Sequence, residues 1–282
     1  DEERVIEAIE VAVETDAGIE NRTVYLTHLG PVVAGPNTPW DDQHVYVMRD
    51  VNYENYRTGD QYAAMQRATD VTQLRQALAD HQGAAFVNTI AADKAGGALY
   101  ADMSAIPNVS VELISRCAVD QSAGARITTL NGSDPSCDWQ VDASAAAPGL
   151  MPPSQQPSLI TTTYAGNSND SYWLSNPAMR LEGYSPIIGD ENAQRTLRTR
   201  SGLKFVEEVV AAGEKFDQAT VENLFFSHRH YGAELFLDEV LEVCADDTSL
   251  AEACAVLAYW DRQQTIESRG AHVFNEFFSE TK

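Results

Sequence analysis

Basic side chains are scarce in this sequence. Its 282 residues hold 19 Lys and Arg against 42 Asp and Glu, and only four of the 19 are lysines: Lys94, Lys204, Lys215 and Lys282. The net charge of −23 excludes nucleic acid as a partner recognised by charge. It reads as a heavily solvated acidic surface rather than a patch built to bind cations. Long apolar runs are missing as well: no stretch of about 18 apolar residues occurs, so nothing predicts a helix that crosses a membrane. The chain opens at Asp1, without an initiator Met or a signal peptide, inside a stretch that reads as a strand. That start predicts a processed chain or an excised piece of a longer protein. Cysteine is limited to Cys117, Cys137, Cys244 and Cys254. Their spacing is not that of a zinc finger and no paired histidines accompany them, so two local disulfides are expected, Cys117 with Cys137 and Cys244 with Cys254. Such bridges persist in oxidising compartments, which predicts a periplasmic or secreted protein.

What is present suffices to fold. Hydrophobic residues make up 44% and aromatics 9%, a globular composition rather than a disordered one. Residues 1–115 read as a mixed β/α core. Strands are expected near 4–14, 22–28 and 43–49, and helices near 60–68 and 71–81, the second capped by Thr69 or Asp70 and stopped at Gly83. A hairpin follows, 85–92 with 98–103, turning through Asp93-Lys94-Ala95-Gly96-Gly97. Residues 116–158 are polar and aperiodic and predict a loop-rich excursion that carries the first cysteine pair. From about 202 the period becomes helical, with Leu203, Val206, Val209 and Val210 on one face. Further helices are expected near 217–227, 231–244, 249–261 and 268–278, with Asp217 and Ser268 as N-caps.

Residues 159–200 differ in kind. Asn167-Ser168-Asn169-Asp170-Ser171-Tyr172-Trp173 runs on through Ser185-Pro186-Ile187-Ile188-Gly189-Asp190-Glu191 to Arg195 and Arg198. Carboxamides beside large aromatics suggest donors held in a partly dry pocket, where a hydrogen bond to developing negative charge is strong. On composition alone, an Asn-rich turn bonded to its own backbone explains the segment as well.

The segment resembles the β-chain of the penicillin acylase family, in particular its acyl-homoserine-lactone acylase and aculeacin acylase branch. There an Asn-X-Asn-Asp-Ser stretch precedes a Ser-Pro-Ile-Ile-Gly-like run and an arginine. Thr27-His28-Leu29-Gly30-Pro31, the hairpin from Phe86 to Asp102, and Trp260-Asp261-Arg262 with Ser268-Arg269-Gly270-Ala271 are similar to other parts of that chain. The resemblance implies an α+β fold, part of the αββα sandwich of N-terminal nucleophile hydrolases, with antiparallel sheets and a helical C-terminal region. It also implies a precursor cut into α and β chains, whose new N-terminal Ser attacks an amide carbonyl while its α-amine takes the proton.

Carried over residue by residue, Asn169 is the oxyanion-hole donor and Arg195 orients Asn169 or the substrate. Asn167 and Trp173 are candidate substrate contacts. Residue 1 is Asp, so the nucleophile is absent from this chain and is expected upstream. The chain then reads as a β-chain fragment that is inactive alone, with a small acyl-amide substrate, the α-chain and the N-terminal part of the β-chain as partners. The alternative is a binding or structural domain that keeps the acylase fold without its catalysis. No cofactor is expected. For the structural calcium that some members bind, Asp190 and Glu191 are candidate ligands, but no complete ligand set is recognisable. His228 and His230 stand two apart in a helical stretch and do not share a face, which argues against a common metal.

Overall fold

A computed structural model describes residues 3–119, 128–246 and 248–280. Asp1, the middle of the excursion at 120–127, Asp247 in the expected disulfide-stapled turn, and Lys282 lie outside the described residues. The chain divides into two compact units, residues 1–167 with 171–192, and residues 168–170 with 193–282.

In the first unit, β1 (Glu7–Thr15) and β2 (Gly18–Thr27) form a long hairpin, and the short β3 (Gly30–Pro31) adds to β2, all antiparallel. The strand expected at 43–49 does not form. Only Val47 pairs there, in a single bridge to Val32, because β3 is two residues long and offers no further ladder. Helices α1 (Thr58–Arg67) and α2 (Val71–His81) follow. Asp70 is the cap of α2, accepting from Gln73 N at 2.8 Å, and Gln82 ends it in the left-handed conformation one residue before Gly83.

The expected hairpin is β4 (Thr89–Ala92) with β5 (Ala98–Ala101), and β6 (Ser158–Thr161) pairs with the other edge of β5. The Asp93 carboxylate accepts from Ala95 N and Gly97 N in the turn, and from Val71 N at the start of α2. One side chain thus ties hairpin to helix. A Cβ on Gly97 would stand 2.8 Å from Val71 and 2.9 Å from Asp93, so this close approach requires glycine. As the central strand, β5 is buried throughout, and α2 lays Val71 and Leu78 against Leu99, Ala101 and Met103. Each such fully buried aliphatic side chain stabilises the fold by roughly 1.5–3 kcal/mol.

The loop-rich stretch after β5 contains a helix that periodicity did not reveal, α3 (Val111–Cys117), capped by the Ser110 hydroxyl. Its seven residues are too few for a periodic signature. Cys117 and Cys137 are joined, with Cα atoms 5.5 Å apart, and sit in a cluster with Val109 and Leu113. Two buried glutamines, Gln82 and Gln156, pin the rest of the stretch, and a third, Gln61, holds the segment after α2. Gln61 accepts from Gly83 N and Ala84 N, Gln82 bonds Met151 O and Ala146 N, and Gln156 bonds Ser104 N and Met151 O.

The second unit is helical: α4 (Leu197–Ala211), α5 (Gln218–Phe225), α6 (Tyr231–Asp246), α7 (Ala251–Ala258) and α8 (Ala271–Glu280). Asp217 caps α5 as expected. Ser268 does not cap α8, which begins three residues later; its hydroxyl bonds Asp261 and Thr265 instead. The core is Ala233, Leu237, Leu257, Trp260, Ala271 and Phe274. His230 is part of this packing, its ring 5.2 Å from that of Phe274 and its Nε2 2.9 Å from Asn275 Oδ1. The second disulfide, Cys244 with Cys254, links α6 to α7.

Candidate active site

In the first unit, the residues flanking the Asn-rich turn rest on β5. Tyr100, fully buried on that strand, accepts from Asn167 Nδ2 at 3.4 Å. Trp173 donates its indole N–H to Glu182 at 3.0 Å. Glu191 accepts from the Tyr172 hydroxyl at 2.6 Å and from Gly183 N and Tyr184 N. Burial would raise the Glu191 carboxyl, but the Tyr172 hydroxyl and the two backbone N–H groups outweigh it and hold it low. Both Glu191 oxygens thereby accept from protein donors.

Burial pushes the Asp102 carboxyl up to about 6, from an ordinary 3.8. The Tyr100 and Tyr172 hydroxyls are also pushed upward, first by burial. The folded chain therefore holds the Asp102 proton more firmly than the unfolded chain does. Its contribution to stability is complete below about pH 4 and is lost as the pH rises through about 6. Asp102→Asn is expected to stabilise the chain at pH 7.5 relative to wild type by on the order of 2 kcal/mol, and much less at pH 4.5. Urea midpoints of the two proteins at both pH values check this, and an equal difference at the two would refute it.

In the second unit, the turn 168–170 meets the start of α4. Asn169 has φ of 56°, a conformation that Asn tolerates better than most residues. Its side chain is exposed rather than enclosed in a dry pocket. Among the described residues, its one hydrogen bond is to its main-chain carbonyl, from Arg198 Nη2 at 3.0 Å. Arg195 donates to Asp170 Oδ1 at 2.6 Å, with 9% of its side chain exposed. Thr199, buried, donates to Asp170 Oδ2 at 2.5 Å. The turn and the helix start thus bring Asn169, Asp170, Arg195, Arg198 and Thr199 together. Sequence reasoning assigned no role to Asp170, Arg198 or Thr199; the signal it passed over is the carboxylate directly after Asn169.

An apolar cavity of about 540 Å³ also lies in this unit, among α6, α7 and α8, lined by Phe236, Val240, Leu257 and Phe277 among others. None of the residues carried over for catalysis lines it.

Packed helices with small antiparallel sheets make this an α+β chain, and its fold matches part of a penicillin acylase. A thermostable penicillin G acylase from Alcaligenes faecalis superposes with a TM-score of 0.55 at 14% identity, over 93% of this chain and 42% of that one. The penicillin amidase family model matches residues 2–282, and the chain belongs to that family. It is 36% identical over 291 residues to aculeacin-A acylase of Actinoplanes utahensis, covering 95% of this chain and 37% of that protein. To the acyl-homoserine lactone acylase PvdQ of Pseudomonas fluorescens it is 35% identical over 253 residues, covering 88% and 32%. The chain thus spans about a third of the length of these curated relatives.

Proposed function

We propose that this chain is part of an exported amide hydrolase that removes an acyl chain from a small amide substrate, with Asn169 as oxyanion donor. The observation that carries the reading is Asn169 itself. In a chain of this family it stands exposed and left-handed, its carbonyl held by Arg198 and its carboxamide free to bond a ligand.

The nucleophilic serine, the α-chain and the early β-chain are supplied by residues outside these 282. The serine Oγ attacks the amide carbonyl carbon while its α-amine, through a water, takes the proton. Electrons shift to the carbonyl oxygen, and Asn169 Nδ2–H donates to that developing oxyanion. Collapse breaks the C–N bond, the leaving amine takes the proton, and water then hydrolyses the acyl ester. An Asn suits this role because it donates without carrying charge. Arg195 stands one residue from the donor through its pair with Asp170 and orients it. Asn167 and Trp173 are proposed substrate contacts.

The relatives' names point to acylated amines, an acyl-homoserine lactone among them, and a lipopeptide is a second candidate. The side chain of a β-lactam is a third option. Two disulfides support export. Exposed Tyr56, Phe86, Tyr259 and Ile266 support burial of these surfaces by further polypeptide.

The test is expression of the whole gene product, mass determination of its chains, and assay against amides of graded acyl length. Two chains, a serine at the start of the second, and turnover that depends on acyl length are expected. The isolated 282 residues should give none; turnover by them that Asn169→Ala abolishes would overturn the assignment of the nucleophile elsewhere.

A further inference from the structure

The Asn169 donor is useful only if its backbone is held where an oxyanion forms, and left-handed turns of non-glycine residues do not hold themselves. The first turn of α4 supplies the hold. Asp170 accepts from Arg195 Nη1 on one carboxylate oxygen and from Thr199 Oγ1 on the other, at 2.6 and 2.5 Å. The Thr199 hydroxyl stands 3.3 Å from the Thr196 hydroxyl, which also accepts from Thr199 N as the cap of α4. Arg198, on the same turn, takes the Asn169 carbonyl. A carboxylate at the start of a helix is also favoured by the helix dipole. Thr199 is buried and the Arg195 side chain nearly so, so these charge-assisted bonds are little screened by water. Asn169 is thus gripped on both sides: at its own carbonyl, and through the residue that follows it.

We infer that Asp170 and Thr199 are positioning residues, which clamp the Asn169 turn to the first turn of α4 and so aim the Asn169 carboxamide at the oxyanion. This rests on the reading of Asn169 given above. Neither side chain needs to touch the substrate. A misplacement of about 1 Å at such a donor costs up to about 100-fold in rate, and the loss falls on kcat because the bond forms only in the transition state.

The experiment is steady-state kinetics of the processed full-length enzyme on the 4-nitroanilide of a straight-chain fatty acid. Asp170→Asn and Thr199→Val are expected to lower kcat by about tenfold or more with KM within about twofold. Thr199→Ser, which keeps the hydroxyl, should recover most of that loss. In an Asn169→Ala background neither substitution should lower kcat further, a non-additivity that a general loss of stability would not produce. Losses that multiply with Asn169→Ala, or kcat within twofold of wild type for both single variants, would overturn the inference. If Asn169→Ala alone leaves kcat unchanged, the fault lies with the reading of Asn169 itself. Should Asp170→Asn fail to fold, the uncharged Thr199→Val and Thr199→Ser pair decides.

Discussion

Asn169→Ala in the processed full-length enzyme is expected to lower kcat by about 10²–10³ with little change in KM. The side chain donates to a charge that exists only on the way to the tetrahedral intermediate, so its removal spares ground-state binding. Alanine at this position also strains the backbone, because φ is 56° and a left-handed non-glycine residue without a polar side chain costs roughly 1–2 kcal/mol. The companion variant Asn169→Gly separates the two effects. Glycine accepts the same φ without strain but has no amide to donate. Equal losses in both variants assign the effect to the donor; near-normal kcat in Asn169→Gly would mean that only the backbone conformation matters, and the oxyanion role would fall.

The second large effect is structural. Replacing Cys117 and Cys137 together by Ala opens a bridge that spans 20 residues of sequence, and chain-entropy arguments put its contribution at about 3 kcal/mol. The bridge also lies inside an apolar cluster with Val109, Leu113 and Trp139, so the two alanines leave unfilled volume there and add to the loss. The expected result is a urea midpoint well below that of the parent chain, with a further lowering when the variant is treated with reductant, which opens Cys244–Cys254 as well. A shift worth under about 1 kcal/mol would show that the buried glutamines, rather than the bridge, hold the stretch in place. The 10-residue separation of Cys244 and Cys254 predicts a slightly smaller effect from the other bridge.

Where local chemistry decided the structure, the sequence was readable. Asp70 and the period of 71–81 defined α2 without reference to anything distant, and Asp217 did the same for α5. The stretch 43–49 has strand-like residues, but a strand exists only if a neighbour offers a ladder, and β3 offers two residues. The buried amides of Gln61, Gln82 and Gln156 bond backbone up to 69 residues away, and no local pattern marks such a glutamine. The candidate site divides in the same way. Asn169 and Arg195 were reached through the resemblance of a contiguous segment. The bond between Thr199 and Asp170, 29 residues apart, belongs to the packing of α4 and leaves no trace in spacing.

The β1–β2 hairpin bears on how the chain behaves among copies of itself. Among the described residues β1 has β2 as its one neighbour, so every second residue of this nine-residue strand turns its backbone donor and acceptor to the far side, a template for a foreign strand. Glu7, Glu10 and Glu14 are exposed along that strand, and in a chain of net charge −23 they act as gatekeepers, since any second copy approaches with the same sign. The acidic excess thus guards an open edge, and it does so through a repulsion that salt or mild acid weakens.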